Sequence, residues 1–394
     1  MSDIVVIGAG LAGCSLAWHL APRARVLVLE QGGQPGAEAT SQNAGMIRRM
    51  SEDPVERALA LRTHAFLEEP GEDWAEAAPS RQTGAMLALA DDPRALDDAA
   101  AHLRLRGLRF EICDRPGELA PALRGAPVRL GWWLPEERVA DAHALNAGFV
   151  RGIRRHGSEV RCAVEVRGLR VRAGRVEGVE TGAGFVPARS VALAAGAWSS
   201  RLARTIGLDR PLIPVRRTLV QTAPHALATP DHPWTWVDDA GLYARPESGG
   251  WLISGCDEAV DRPAPGPGST GQVEAFPRAL AWDKLARWMP ALADARPVGG
   301  LTGLRTFSPD RRPLLGADPE VEGLWWVAGL GGFGVTGSFA AGEAVAAWML
   351  GGTVPYLQPR SVAPGRAVPS RWLIHPDGVA HEGVLVGARD ERGA

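Results

Sequence analysis

The sequence predicts an α/β protein in which a parallel sheet near the N-terminus is interrupted by a second, α+β domain built on an antiparallel sheet. Three observations carry this expectation. Residues 4–7 and 26–29 are apolar runs separated by a glycine turn and a helix-spaced stretch at 12–20, the order strand, helix, parallel strand. A second α/β region follows at 141–196, and a third at 324–350. Between them lie 81–138 and 208–298, richer in Pro and Trp, with isolated strand patterns at 212–222, 241–245 and 250–255.

Taken in order, the chain reads as a discontinuous first domain (1–80, 139–206 and 299–352), a second domain assembled from two insertions (81–138 and 207–298) and an extension at 353–394 without periodicity. Asp141 is a plausible N-cap for a helix at 142–156, and the segments after it alternate like an antiparallel meander before a buried strand at 190–194. The stretch 324–350 carries one charge, Glu343, but five glycines fall between 329 and 337, so it reads as strand, glycine loop and core helix rather than a transmembrane segment.

With 394 residues, 45% of them hydrophobic, the chain can bury a core in each domain, which excludes a disordered tail protein. A formal charge of -2 excludes a general electrostatic affinity for nucleic acid. Cys14, Cys113, Cys162 and Cys256 form no C-x-x-C pair, which argues against a metal site or disulfide framework. A strand with no basic leader at the N-terminus, together with reduced cysteines, points to a cytoplasmic setting, with peripheral membrane association left open.

The strongest local motif is Gly8-Ala9-Gly10-Leu11-Ala12-Gly13, a G-x-G-x-x-G between strand and helix, with Glu30 seventeen residues beyond Gly13 at the end of the next strand and Gln31 beside it. This is the Rossmann-like dinucleotide fingerprint. The first glycine allows the tight turn, the second lets backbone approach a pyrophosphate, and the third lets helix and strand pack closely. The helix N-terminus meets the negative charge. Glu30 suits an unphosphorylated ribose, and the motif alone leaves NAD and FAD open.

Further motifs occur in order over about residues 1–350: Glu38-Ala-Thr-Ser-Gln-Asn-Ala-Gly-Met-Ile-Arg48, Ala195-Gly196-Ala197-Trp198, Gly303-Leu304-Arg305 with Pro309-Asp310-Arg311-Arg312-Pro313, and Gly331-Gly332-Phe333-Gly334-Val335-Thr336 before a final helix. Together they resemble the D-amino acid oxidase-like (DAO) flavoprotein family, and within it the bacterial D-amino acid dehydrogenases of the D-arginine dehydrogenase kind. The resemblance implies an FAD-binding domain of the glutathione reductase type. Beyond the fingerprint, FAD would be held by Thr40, Ser41, Gln42, Asn43, Ala44, Gly45 and Met46, by Val166, by Ala195, Gly196 and Trp198, by Arg305, and by the 331–336 loop at the flavin's pyrimidine side. Relatives with covalent flavin carry a cysteine near the place of Gly303, so the FAD is expected to be noncovalent.

The resemblance also implies a substrate clamp. Arg305 stands at the family's carboxylate-binding arginine, Tyr243 at its tyrosine, and Arg217 at an arginine of the dehydrogenase subgroup. A planar guanidinium suits a carboxylate because it meets both oxygens. A strand places Arg216 and Arg217 on opposite faces, with Arg217 inward. Met46, Ser51, Ala85 and Gly332 are expected around the substrate. Met46 and Ser51 align where the D-arginine enzyme has a histidine and a tyrosine, and Ala85 where it has an acid, so an apolar or acidic side chain is expected in place of a cationic one.

The implied reaction is oxidative deamination of a small amino acid, expected to be a D-amino acid, by hydride transfer from Cα to flavin, giving an imine and then a 2-oxo acid. Alternatives are a glycine, sarcosine or other N-methyl amino acid oxidase, a 2-hydroxy acid dehydrogenase, and an electron-relay subunit that requires a partner chain. The only lysine, Lys284, is expected on a solvated helix rather than at the flavin. Fast oxidases of this family use a lysine there, so a quinone or dye is the expected electron acceptor.

Overall fold

The computed structural model describes residues 3–51, 53–89, 108–261, 263, 266, 268 and 273–367. A six-stranded sheet has the order Leu314–Ala317, Leu324–Ala328, Ser190–Leu193, Ile4–Ile7, Val26–Leu29, Glu159–Arg161. Every pairing is parallel except that of Leu314–Ala317 with Leu324–Ala328. Ile4–Ile7 and Val26–Leu29 are buried at every position because both faces of the sheet are covered. Val6, Val28 and Ala192 join one core with residues of the helices Leu11–Leu20, Ala142–Arg155 and Gly334–Met349. Their neighbours Val5, Leu27 and Val191 point the other way and meet the antiparallel meander of Val166–Arg172, Arg175–Thr181 and Gly184–Pro187. Asp141 caps its helix as expected, its Oδ1 accepting from the amide of Ala144 at 2.9 Å.

The second large sheet has the order Ala259–Val260, Ile213–Thr222, Gly250–Ser254, Leu242–Glu247, Trp234–Val237, Ala85–Ala88, Gly131–Leu134, Glu111–Cys113. Its pairings are antiparallel apart from Trp234–Val237 with Ala85–Ala88. One face packs Trp251, Ile253 and Leu242 under the helix Ala275–Trp288. The other carries Trp132, Trp236, Tyr243 and Leu219 towards Ala44, Met46 and Met50 of the first domain, and so lays a sheet face over the 44–50 segment. A small antiparallel sheet of Met46–Ile47, Arg138–Ala140 and Ser80–Gln82 ties the two halves together.

One feature departs from the sequence reading. Pro297–Phe307 runs alongside Ile213–Thr222 over its length, so the large sheet continues past the expected boundary at 298 before the chain returns to the first sheet. The segment expected as an extension or partly ordered tail is docked over 353–367: Val354, Leu357 and Val362 are buried in the first core, and Arg366 is ion-paired with Asp310. Residues 368–394 of that extension lie outside the described residues. The glycine-broken stretch at 324–350 forms strand, loop and helix, and among the described residues no helix is long and apolar enough to cross a membrane.

Candidate active site

One elongated cavity runs between the two sheets, from Glu30 to the strands that carry Arg217 and Arg305. At its first end the turn after Ile4–Ile7 is held by Gly8, whose φ of +103° is open to glycine and whose Cβ would fall 2.5 Å from the carbonyl oxygen of Ala194. Helix Leu11–Leu20 begins at Gly10; the hydroxyl of Thr40 accepts from the Leu11 amide at 3.0 Å, and Gly10, Leu11 and Ala12 of this N-terminus line the cavity. Glu30 is buried, and its two oxygens accept from the amides of Ala9 and Gly32, each at 2.8 Å. Burial pushes its carboxyl above the usual range, while those amides pull it back. Each oxygen keeps a second lone pair for a sugar hydroxyl. This is the donor and acceptor set that an adenosine diphosphate moiety needs.

Gln42, Asn43, Ala44, Gly45 and Met46 line the middle, facing Ala195, Gly196, Trp198 and the loop of Gly331, Gly332, Gly334 and Val335. Asn43 fixes its own loop, accepting from the amide of Gly45 at 2.7 Å. The helix Gly334–Met349 lacks a side-chain cap and has no acid in its first turn, so its positive end is available to an electron-rich ring. Two helices thus bring their N-termini to one cavity, which fits a molecule with a diphosphate at one end and an anion-forming ring system further along.

The far end is basic. Antiparallel pairing sets Val215 opposite Arg305 and Arg217 opposite Gly303, so the two arginines leave the same face of neighbouring strands and both line the cavity. Arg216, on the other face, pairs with Asp261 and Glu274. Arg217 donates to the carbonyl of Asp257 at 3.0 Å and to Glu258 at 3.1 Å. Glu258 also meets Arg311 at 3.1 Å and Arg305 at 3.9 Å. Arg48 reaches this end from the strand Met46–Ile47, with Trp236 and Phe333 beside its guanidinium. Tyr243 lines the cavity next to Trp236, ring centroids 5.2 Å apart.

Most residues singled out in the sequence line this cavity, and the exceptions have physical reasons. Ala9 and Gly13 lie behind the turn, Ala9 giving its amide to Glu30 and Gly13 packing against the carbonyl of Gly8. Ser41 turns its hydroxyl to the carbonyls of Ala37 and Glu38. Phe333 is buried beside the loop, and the Thr336 hydroxyl bonds the carbonyl of Met46. Two expected substrate contacts are not in the cavity lining: Ser51 donates to Glu56 at 2.6 Å at the approach to the helix Pro54–Glu68, and Ala85 is sealed in the aromatic cluster of the large sheet. Lys284 does not line the cavity either, but it is half-buried rather than solvated, donating to the carbonyls of Gly241 and Gly255.

Sequence reasoning missed Glu258 and Arg48. Glu258 had no motif to mark it, and Arg48 was one arginine among many at the end of a quoted motif.

The model of the family described as FAD dependent oxidoreductase (DAO) matches residues 3–348. The chain is 28% identical to a glycine oxidase of Pseudomonas aeruginosa over 357 residues, covering 82% of this chain and 87% of that protein. It is 30% identical to a D-amino acid dehydrogenase of Cereibacter sphaeroides over 353 residues, covering 86% and 76%. It is also 26% identical to the mitochondrial dimethylglycine dehydrogenase of Mus musculus, and there it spans only 43% of the relative's length. Among solved structures, L-proline dehydrogenase from P. horikoshii superposes with a TM-score of 0.81 at 22% identity, covering 92% of this chain and 96% of that one. Glycine oxidase from Geobacillus kaustophilus gives 0.80 at 24%, covering 93% and 99%.

Proposed function

The chain belongs to the DAO family of FAD-dependent oxidoreductases, with FAD as its cofactor, and from that premise we propose that it is an amino acid dehydrogenase, acting on a small D-amino acid and passing its electrons to a quinone-like acceptor. The observation that carries the reading is the convergence of Arg305, Arg217 and Tyr243 on the end of the cavity opposite Glu30.

Bound FAD, which Gly8, Gly10, Glu30 and the 42–46 segment would hold, would supply a hydride acceptor for the substrate Cα hydrogen, and the resulting imine would be hydrolysed by water to a 2-oxo acid and ammonia. The chain's own residues orient the amine for this. Arg305 receives the carboxylate, with Tyr243 and Arg217 beside it. A buried guanidinium fork holds both oxygens and so fixes the direction of the Cα–H bond. The carboxylates that line the cavity, Glu30 and Glu38, lie close enough together for Glu38 to raise the Glu30 pKa, at the nucleotide end. With the amine entering neutral no side-chain base is required, and catalysis rests on orientation and electrostatics. A noncovalent FAD is supported by the lining, which holds neither cysteine nor histidine among the described residues, and by Gly303, where a Cβ would fall 2.8 Å from the carbonyl oxygen of Gln42.

The test is anaerobic mixing of the purified yellow protein with a panel of D- and L-amino acids, N-methyl amines and 2-hydroxy acids. Loss of flavin absorbance with a D-amino acid, without any added protein, is expected. Bleaching only by hydroxy acids, or only when a partner chain is added, would overturn the reading.

A further inference from the structure

Near the end of the docked stretch 353–367 an arginine organises a loop far away in sequence. The Arg366 side chain is 9% exposed and meets the Asp310 carboxylate with Nε at 2.7 Å and Nη2 at 2.5 Å, the fork geometry of guanidinium on carboxylate. It also donates to the carbonyls of Arg312 at 2.9 Å and Pro313 at 3.1 Å, and to the hydroxyl of Ser308 at 3.3 Å. On its own segment it holds the carbonyls of Val362 and Ala363, each at 3.1 Å. One side chain therefore ties the docked stretch to the loop 308–313.

That loop leads from the strand of Arg305 back to the first sheet. In its middle stands Arg311 with φ of +62°, a left-handed conformation that a residue with a Cβ disfavours and that persists where the surroundings fix it. Arg311 Nη2 reaches both oxygens of Glu258, at 3.2 and 3.1 Å, and its Cζ lies 4.4 Å from the Phe307 ring centroid. The same Glu258 is 3.1 Å from Arg217 but 3.9 Å from Arg305.

We propose that Arg366 is a positioning residue for substrate binding. It fixes the loop through Asp310, the loop sets Arg311, and Arg311 draws the Glu258 carboxylate towards itself and away from Arg305. This rests on the carboxylate-clamp reading above and deepens it. With the loop released, Glu258 closes on Arg305 and opposes the substrate, because two carboxylates repel each other across a shared guanidinium. Arg366 touches no reacting atom, so its loss acts on substrate affinity rather than on the hydride step.

Two measurements on the FAD-loaded full chain decide it. Calorimetry with propionate reads carboxylate binding without turnover, and anaerobic flavin reduction separates substrate affinity from the limiting rate. Arg366→Met is expected to weaken propionate by at least about fivefold, the low end of coupling between separate sites, with bound FAD and the limiting reduction rate nearly unchanged. Arg311→Met should reproduce that loss without touching the docked stretch, and adding Arg366→Met to it should weaken propionate no further. Unchanged propionate affinity in Arg366→Met, with only a lower melting temperature, would make Arg366 a structural staple and overturn the proposal. So would losses that add in the double variant. If Arg366→Met does not fold, Arg311→Met decides alone, and unchanged affinity there overturns it. A wild type that binds no propionate removes the clamp itself and the proposal with it. If no amine reduces the flavin, the deamination reading falls separately, and the propionate titration still decides the role of Arg366.

Discussion

Glu258 and Arg217 form a buried ion pair, Oε1 to Nη2 at 3.1 Å, with 3% and 4% of their side chains exposed. The same carboxylate faces Arg311 and Arg305, so one acid holds together the arginines that line or support the basic end of the cavity. Removing one partner of a buried pair leaves the other charge desolvated, a cost of about 3–5 kcal/mol. Glu258→Ala is therefore expected to lower unfolding stability in urea by that order. It should also tighten binding of a simple carboxylate such as acetate, because the arginines lose their internal competitor. An unchanged urea midpoint together with unchanged acetate affinity would show that the pair does neither.

Arg305→Ala should lower kcat/KM by the equivalent of about 2–5 kcal/mol, the range for truncating one member of a desolvated charge pair. Bound FAD should change little. Gly332→Ala tests the same contact from the other side, since its new methyl would press on the Arg305 guanidinium, the mobile end of a long side chain, rather than on backbone. It should cost activity while leaving the melting temperature nearly unchanged. Wild-type kcat/KM in both variants would remove Arg305 from the clamp.

Precipitation with acid should release all of the flavin to the supernatant. The crowding of Gly303 against Gln42 leaves no room there for an attaching side chain. Yellow colour retained on the washed pellet would contradict a noncovalent cofactor.

Electron transfer to dioxygen is helped by a fixed positive charge beside the flavin. Lys284 is tied to two carbonyls away from the cavity, and Arg217 and Arg305 share the charge of Glu258 before a substrate carboxylate arrives. Turnover with a quinone or dye should therefore exceed turnover in air by at least about tenfold, roughly 1.4 kcal/mol in barrier. Stopped-flow reoxidation of the reduced protein checks this, and an oxygen rate equal to the dye rate would make the protein an oxidase.

Burial against Trp18 and Phe339 lowers the His19 pKa from 6.5 to about 4. The unfolded chain then binds a proton between those two pH values that the folded chain refuses. Stability from this site is full above about pH 6.5 and is lost as pH falls towards 4, by about 3 kcal/mol at most. His19→Gln should flatten that part of the profile of melting temperature against pH, and a wild-type slope in the variant would locate the proton elsewhere.

Much of this arrangement was legible in the residues themselves because its determinants are local. The glycine spacing, the apolar runs and Asp141 each act within a few residues, so the first sheet, its helices and the Glu30 end of the cavity follow from order along the chain. Strand alternation put Arg216 and Arg217 on opposite faces, and the family resemblance singled out Arg217 as the inward one. What only the tertiary structure decided lies where distant segments meet. Glu258 reaches Arg217, Arg305 and Arg311 through a sheet edge joined from separate strands. Arg48 lies beside Trp236 and Phe333, far away in sequence. Ser51 and Ala85 fell out of the site for the same reason, since a helix approach and an aromatic cluster claimed them first. Local pattern sets which face a side chain leaves from, whereas the charges and rings it meets there depend on long-range packing that no spacing rule encodes.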